Sequence, residues 1–180
     1  MRTLILYTSK TGGTKKYAED IASAVGADVL PFHKRKFKKM DLSQYDTIVY
    51  GGWVCGSKIQ GVDDFLVRYD DMNEKNVILF SSGMGFVSKE SRDNMITGNL
   101  LDLYHVRYYQ LRGSFDYSKL RFPFNWMIKL GISGAKKAND GNTDVDFLER
   151  VMETPFEYYD NAGIEKIISI LHRLEAEKQA

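Results

Sequence analysis

The residues best suited to chemistry come early, in Thr8-Ser9-Lys10-Thr11-Gly12-Gly13-Thr14. The hydroxyls of Ser9, Thr11 and Thr14 are neutral hydrogen-bond donors. Gly12 and Gly13 let the backbone turn sharply and approach a ligand closely. Thr14 opens a helical pattern, and the free N–H groups and dipole of a helix N-terminus attract an anion. Together with Lys10, such a turn suits a phosphate monoester held by hydrogen bonds rather than by a metal. The patterns GxxxxGK[ST] and GxGxxG are both absent, so the turn is neither a P-loop nor a dinucleotide fingerprint. An ordinary turn between a strand and a helix would use the same residue types.

Two further segments carry glycines and an aromatic. They are Gly51-Gly52-Trp53-Val54-Cys55-Gly56-Ser57 and Ser81-Ser82-Gly83-Met84-Gly85-Phe86. Glycines let backbone amides reach the polar edge of a planar ring, and Trp53 or Phe86 would add about 0.5–1.5 kcal/mol by stacking on its face. Trp53 serves equally well as a cap on the core. Cys55 reads as a small filler, since no neighbouring histidine would activate its thiol. His33, His105 and His172 are scattered and give no metal-ligand spacing. No side chain is assigned as a catalytic acid or base.

These segments need a frame. Four apolar runs predict buried strands over 3–7, 28–32, 47–52 and 76–82, and a fifth over 106–112 alternates less cleanly. Helical periodicity falls between them: Tyr17, Ala18, Ile21, Ala22 and Val25 share one face of 14–25. Val62, Phe65, Leu66 and Tyr69 stand at helical spacing within 61–70, a weaker pattern covers 90–103, and a strong amphipathic helix closes the chain over 164–174. Strands alternating with helices predict a parallel sheet covered on both faces. Ligand sites in open α/β sheets lie beyond the carboxyl ends of the strands, where all three segments fall.

Composition sets the outer bounds. The 180 residues suit one domain spanning 1–180. One cysteine allows no internal disulfide and implies a reducing compartment. No apolar run reaches the ~18 residues of a bilayer span. The expected location is therefore the cytoplasm, or the inner face of the membrane as a peripheral protein. Net charge is +1, so no global field points to nucleic acid. The basic run 33–39 reads as a solvated loop, with partner or membrane contact the lesser reading.

The turn SKTGGT resembles the phosphate loop of flavodoxins, [ST]-x-T-G-x-T after the first strand, and the segments after the third and fourth strands resemble their two flavin loops. The resemblance implies a doubly wound five-stranded parallel sheet in the order 2-1-3-4-5. It also implies FMN held by Ser9, Lys10, Thr11, Gly12, Gly13 and Thr14 at its phosphate. The ring would meet Gly52, Trp53, Val54, Cys55 and Gly56 on one side and Ser82, Gly83, Met84, Gly85 and Phe86 on the other.

Carrier flavodoxins are strongly acidic as a family, and this near-neutral chain is poorly matched to their basic partners. One long connection, about 114–146, interrupts the alternation. It places Phe115, Tyr117, Phe122, Phe124 and Trp126 among Lys119, Arg121, Lys129, Lys136 and Lys137. Such a mixture can cover a planar apolar ligand, lie on an anionic membrane surface, or simply pack a helix on the sheet. Its length, position and Met127-Ile128-Lys129-Leu130 run are similar to the long loop of menaquinone-dependent protoporphyrinogen oxidases, flavodoxin-like enzymes of heme synthesis. Cys55 stands where those oxidases tend to have a basic residue. That resemblance implies a quinone acceptor and a porphyrinogen substrate. An electron carrier with a redox partner protein and no substrate of its own is the alternative.

Overall fold

The computed structural model describes residues 1–138 and 145–179, so 139–144 of the inserted segment lie outside it. The chain runs β1 (Thr3–Tyr7), α1 (Gly13–Val25), β2 (Asp28–Pro31), α2 (Lys34–Phe37), β3 (Thr47–Cys55), β4 (Lys58–Ile59) and α3 (Val62–Leu66). It continues β5 (Asn76–Gly83), α4 (Lys89–Gly98), β6 (Arg107–Phe115), α5 (Phe124–Ala138), α6 (Val145–Glu153), β7 (Phe156–Tyr159) and α7 (Asn161–Gln179).

The sheet order is β2-β1-β3-β5-β6-β7, with β4 paired to β3. The first five of these are parallel and follow the expected order. Side chains alternate across a strand, so each central strand feeds two cores. Leu4, Leu6, Ile48, Tyr50, Val77 and Leu79 face Phe37, Phe65 and Met72. Ile5, Val49, Ile78, Phe80 and Leu111 face Tyr17 and Ile21 of α1 and Ile164, Ile167 and Leu171 of α7. Burial on both faces explains why these strands read as unbroken apolar runs.

Several elements depart from the sequence reading. β2 is an edge strand and largely exposed, whereas its apolar run predicts burial. The basic run 33–39 is not simply a solvated loop: α2 lies within it and buries Phe37. The helix expected over 61–70 is only α3 followed by a 3-10 turn at Tyr69–Met72, and the one over 90–103 stops at Gly98. The insertion holds α5 and part of α6, and the added strand β7 runs antiparallel to β6.

Candidate functional site

The turn after β1 is held from behind. The Thr8 N–H donates to the Gly51 carbonyl at 2.8 Å, and the Thr8 hydroxyl donates to the Gln60 carbonyl at 2.8 Å. Gly12 sits at φ 105°, a left-handed conformation that side-chain-bearing residues resist, and its N–H donates to Ser9 Oγ at 3.2 Å. That rotation lets α1 begin at Gly13, one residue earlier than the periodicity indicates. No side chain caps α1, so its first N–H groups keep their donor capacity. Gly13 is also required sterically: a Cβ there would lie 2.9 Å from the Ser114 carbonyl oxygen. The end of β6 thus closes on the start of α1. Thr14 is buried, Ser9 and Thr11 are half-buried, and Lys10 is exposed.

The second segment is a hairpin rather than an open loop. β3 continues through Gly52, Trp53, Val54 and Cys55, then turns at Gly56 (φ 60°) into β4. Gly52 leaves room for Ile59. The Trp53 ring meets Phe124 of α5 edge-on, with centroids 5.1 Å apart. On the same Phe124 ring rests Lys10 Nζ, 4.5 Å from its centre. The phosphate-type turn, the hairpin and the insertion therefore meet at one phenylalanine. Burial pushes the Cys55 thiol pKa upward, away from the thiolate that a nucleophile needs.

The third segment leaves β5 beside them, with Trp53 in register with Ser82. Ser82 is buried and Gly83 packs over Val54. Beyond Gly83 the chain is gripped by Arg112 of β6. Arg112 Nε donates to the Met84 carbonyl at 3.1 Å, and its guanidinium lies 4.1 Å from the Phe86 ring centre. Phe156 and Tyr158 of β7 each lie 4.9 Å from the same guanidinium. Gly85 and Phe86 are exposed.

A cavity of about 460 Å³ opens beside this cluster. Thr11, Gly13, Lys16 and Tyr17 wall one side, and Ser114, Phe115, Phe156, Tyr158 and Tyr159 the other. Tyr17 fastens the walls together: its hydroxyl donates to the Arg112 carbonyl at 2.6 Å and accepts from the Asp160 N–H at 2.6 Å. Burial pushes the Tyr17 pKa up to about 12, so this phenol stays neutral. The lysines of the rim are paired, Lys16 with Asp20 at 2.9 Å and Lys119 with Asp116 at 3.0 Å. The Ser118 hydrogen bonds, and then Lys119, hold the Asp116 carboxyl below its usual range. With those charges balanced, the uncapped start of α1 and the exposed Lys10 place positive charge at the mouth of the site.

The expected residues at the ends of β1, β3 and β5 are thus adjacent. Sequence reasoning missed Tyr17, Arg112, Ser114, Phe156, Tyr158 and Tyr159. Ser114 was open to the same logic as the others, since it too lies at the carboxyl end of a parallel strand. Among the described residues, no group of three His, Cys, Asp or Glu side chains gathers to hold a metal ion.

Residues 4–145 match the family described as Flavodoxin domain. The chain belongs to that family. Comparison with curated proteins returned no match. Among solved structures, a flavoprotein in complex with FMN from Lactobacillus acidophilus NCFM is 18% identical, covering 62% of this chain and 91% of that one at a TM-score of 0.45. Oxidised flavodoxin 2 from Bacillus cereus is 17% identical over 63% of this chain and 85% of its own, with a TM-score of 0.46. The Trp repressor binding protein from Bacillus subtilis is 14% identical over 62% and 85%, with a TM-score of 0.48.

Proposed function

We propose that the protein binds FMN and works as a redox enzyme, passing hydrogen equivalents from an apolar reduced substrate of the protoporphyrinogen class to a quinone. The observation that carries the cofactor reading is the uncapped α1 N-terminus, opened by left-handed Gly12 and flanked by the Ser9 and Thr11 hydroxyls. These groups fit a phosphate monoester, since amide and hydroxyl donors meet its oxygens without a metal. Lys10 adds a cation at the rim. The hairpin of Gly52, Trp53, Val54, Cys55 and Gly56 and the turn of Ser82, Gly83, Met84, Gly85 and Phe86 would hold the ring. When bound, the flavin supplies the electron transfer, and the protein orients it and excludes water.

The enzyme reading has its own support. A diffusible carrier needs no long insertion, yet here Phe124 of that insertion meets both Trp53 and Lys10. An apolar substrate entering beside Trp53 would find aromatic walls on two elements.

The test is a fluorescence titration with FMN and with riboflavin. FMN should bind and Thr11→Val should weaken it about tenfold, a loss of about 1.4 kcal/mol, while riboflavin affinity stays unchanged. Equal loss for both ligands overturns the phosphate assignment. The loaded protein is then mixed with protoporphyrinogen and a menaquinone analogue. Turnover supports the enzyme reading; electron exchange with a flavodoxin reductase, and no porphyrinogen turnover, would assign the alternative, an electron-transfer protein.

A further inference from the structure

We infer that the outward face of α5 docks the protein on an anionic lipid bilayer, a function beyond the redox reading. Phe122 is 78% exposed, Trp126 53%, Met127 47% and Leu130 49%. Trp126 and Leu130 are four residues apart and Met127 and Leu130 three, so on a helix they share one side. The opposite side is occupied: Phe124 packs on Trp53, and Ile132 is buried. The apolar face is therefore contiguous and turned to solvent, which marks an interaction surface rather than scattered exposure.

Charge selects the occupant. From Tyr117 to Ala138 the sequence carries five basic residues and no acidic one. Lys119 and Lys136 are paired with Asp116 and Glu149. Arg121 and Lys129 are exposed with no ion pair among the described residues; Arg121 directly precedes Phe122, and Lys129 stands three residues from Trp126, on the edge of the face that borders α6. A second copy would bring an equally positive face against this one and repel it. Anionic headgroups complement the rim, while Trp126, Met127 and Leu130 enter the acyl boundary. This is the arrangement of helices that lie in a membrane interface.

Vesicle sedimentation tests the docking without any redox readout. The wild-type protein should sediment with vesicles of equal parts phosphatidylserine and phosphatidylcholine, and on the order of tenfold less with phosphatidylcholine alone. Trp126→Ser with Leu130→Ser should lose binding, and so should Arg121→Gln with Lys129→Gln. All four side chains are exposed, so thermal unfolding of the variants should match wild type. Wild-type and variant proteins that sediment alike overturn the inference. So does a dimer in analytical ultracentrifugation that Trp126→Ser abolishes, in a protein with no vesicle binding.

Discussion

The guanidinium of Arg112 lies 4.1 Å from the centre of the Phe86 ring while its Nε holds the Met84 carbonyl at 3.1 Å. One side chain on β6 thereby fixes both the backbone and the tip of the turn that leaves β5. Phe156 and Tyr158 contribute a second aromatic wall to the same cation.

Arg112→Lys should not rescue what Arg112→Ala loses. A planar guanidinium can stack on several rings while donating along its edge, and an ammonium cannot. Each cation–ring contact is worth about 0.5–1 kcal/mol at an exposed site. Both variants should lose roughly 1–2 kcal/mol in urea unfolding and become sensitive to proteolysis within 84–87. A lysine variant that matches wild type in both measurements contradicts the clamp.

Tyr17→Phe removes a hydroxyl serving both the Arg112 carbonyl and the Asp160 N–H. Leaving two such groups without a partner costs about 1–3 kcal/mol. Urea denaturation should show the drop, and Tyr7→Phe, whose side chain is half-buried, should cost less.

Stability should decline in alkali. Burial raises the Tyr17 and Tyr108 pKa values from 10.0 to about 12. The folded chain therefore keeps protons that the unfolded chain releases between pH 10 and about 12. The unfolded state binds fewer protons there, so stability is full below pH 10 and falls as pH rises. Denaturation midpoints across that window check it; the decline should shrink in Tyr17→Phe and Tyr108→Phe.

Glycine replacements should split by position. An added Cβ at Gly13 meets the Ser114 backbone at 2.9 Å, so Gly13→Ala should destabilise by roughly 1–3 kcal/mol. At Gly131 a Cβ meets nothing within 4 Å. Gly131→Ala in α5 should stabilise by about 0.5–1 kcal/mol through helix propensity. Thermal unfolding of the two variants should move in opposite directions.

Phe124→Ala should uncover Trp53. In a Trp126→Phe background, Trp53 is the remaining tryptophan, and its emission should shift to the red. Unchanged emission would mean that the insertion does not shield the hairpin in solution.

How much of this was legible followed from where the information lay. The strands β1, β3 and β5 are contiguous apolar runs because both faces of the sheet are covered there. The turn at Gly12-Gly13 announced itself because paired glycines leave a local mark. β7 did not, since Glu157 and Tyr158 are exposed and Phe-Glu-Tyr-Tyr has no clean alternation. The grip of Arg112 on residues 84, 86, 156 and 158 was hidden for a different reason. Its partners are distant in sequence, and no local pattern records such a meeting. α2 escaped because a single apolar residue, Phe37, anchors it inside a run of lysines.

The bond from Asp160 N–H to Tyr17 joins residues 143 apart in the chain. During synthesis the turn and α1 emerge well before the wall opposite them, which follows 143 residues after Tyr17. Between those two points a nascent chain carries a half-built pocket, with Tyr17 and the outer edge of β6 unsealed. Contacts of such long span are slow to form, so closure of the pocket should be the late event in refolding. A chain stopped before residue 155 would retain the turn at Gly12 and Gly13 but have no strand to shut the cavity behind it.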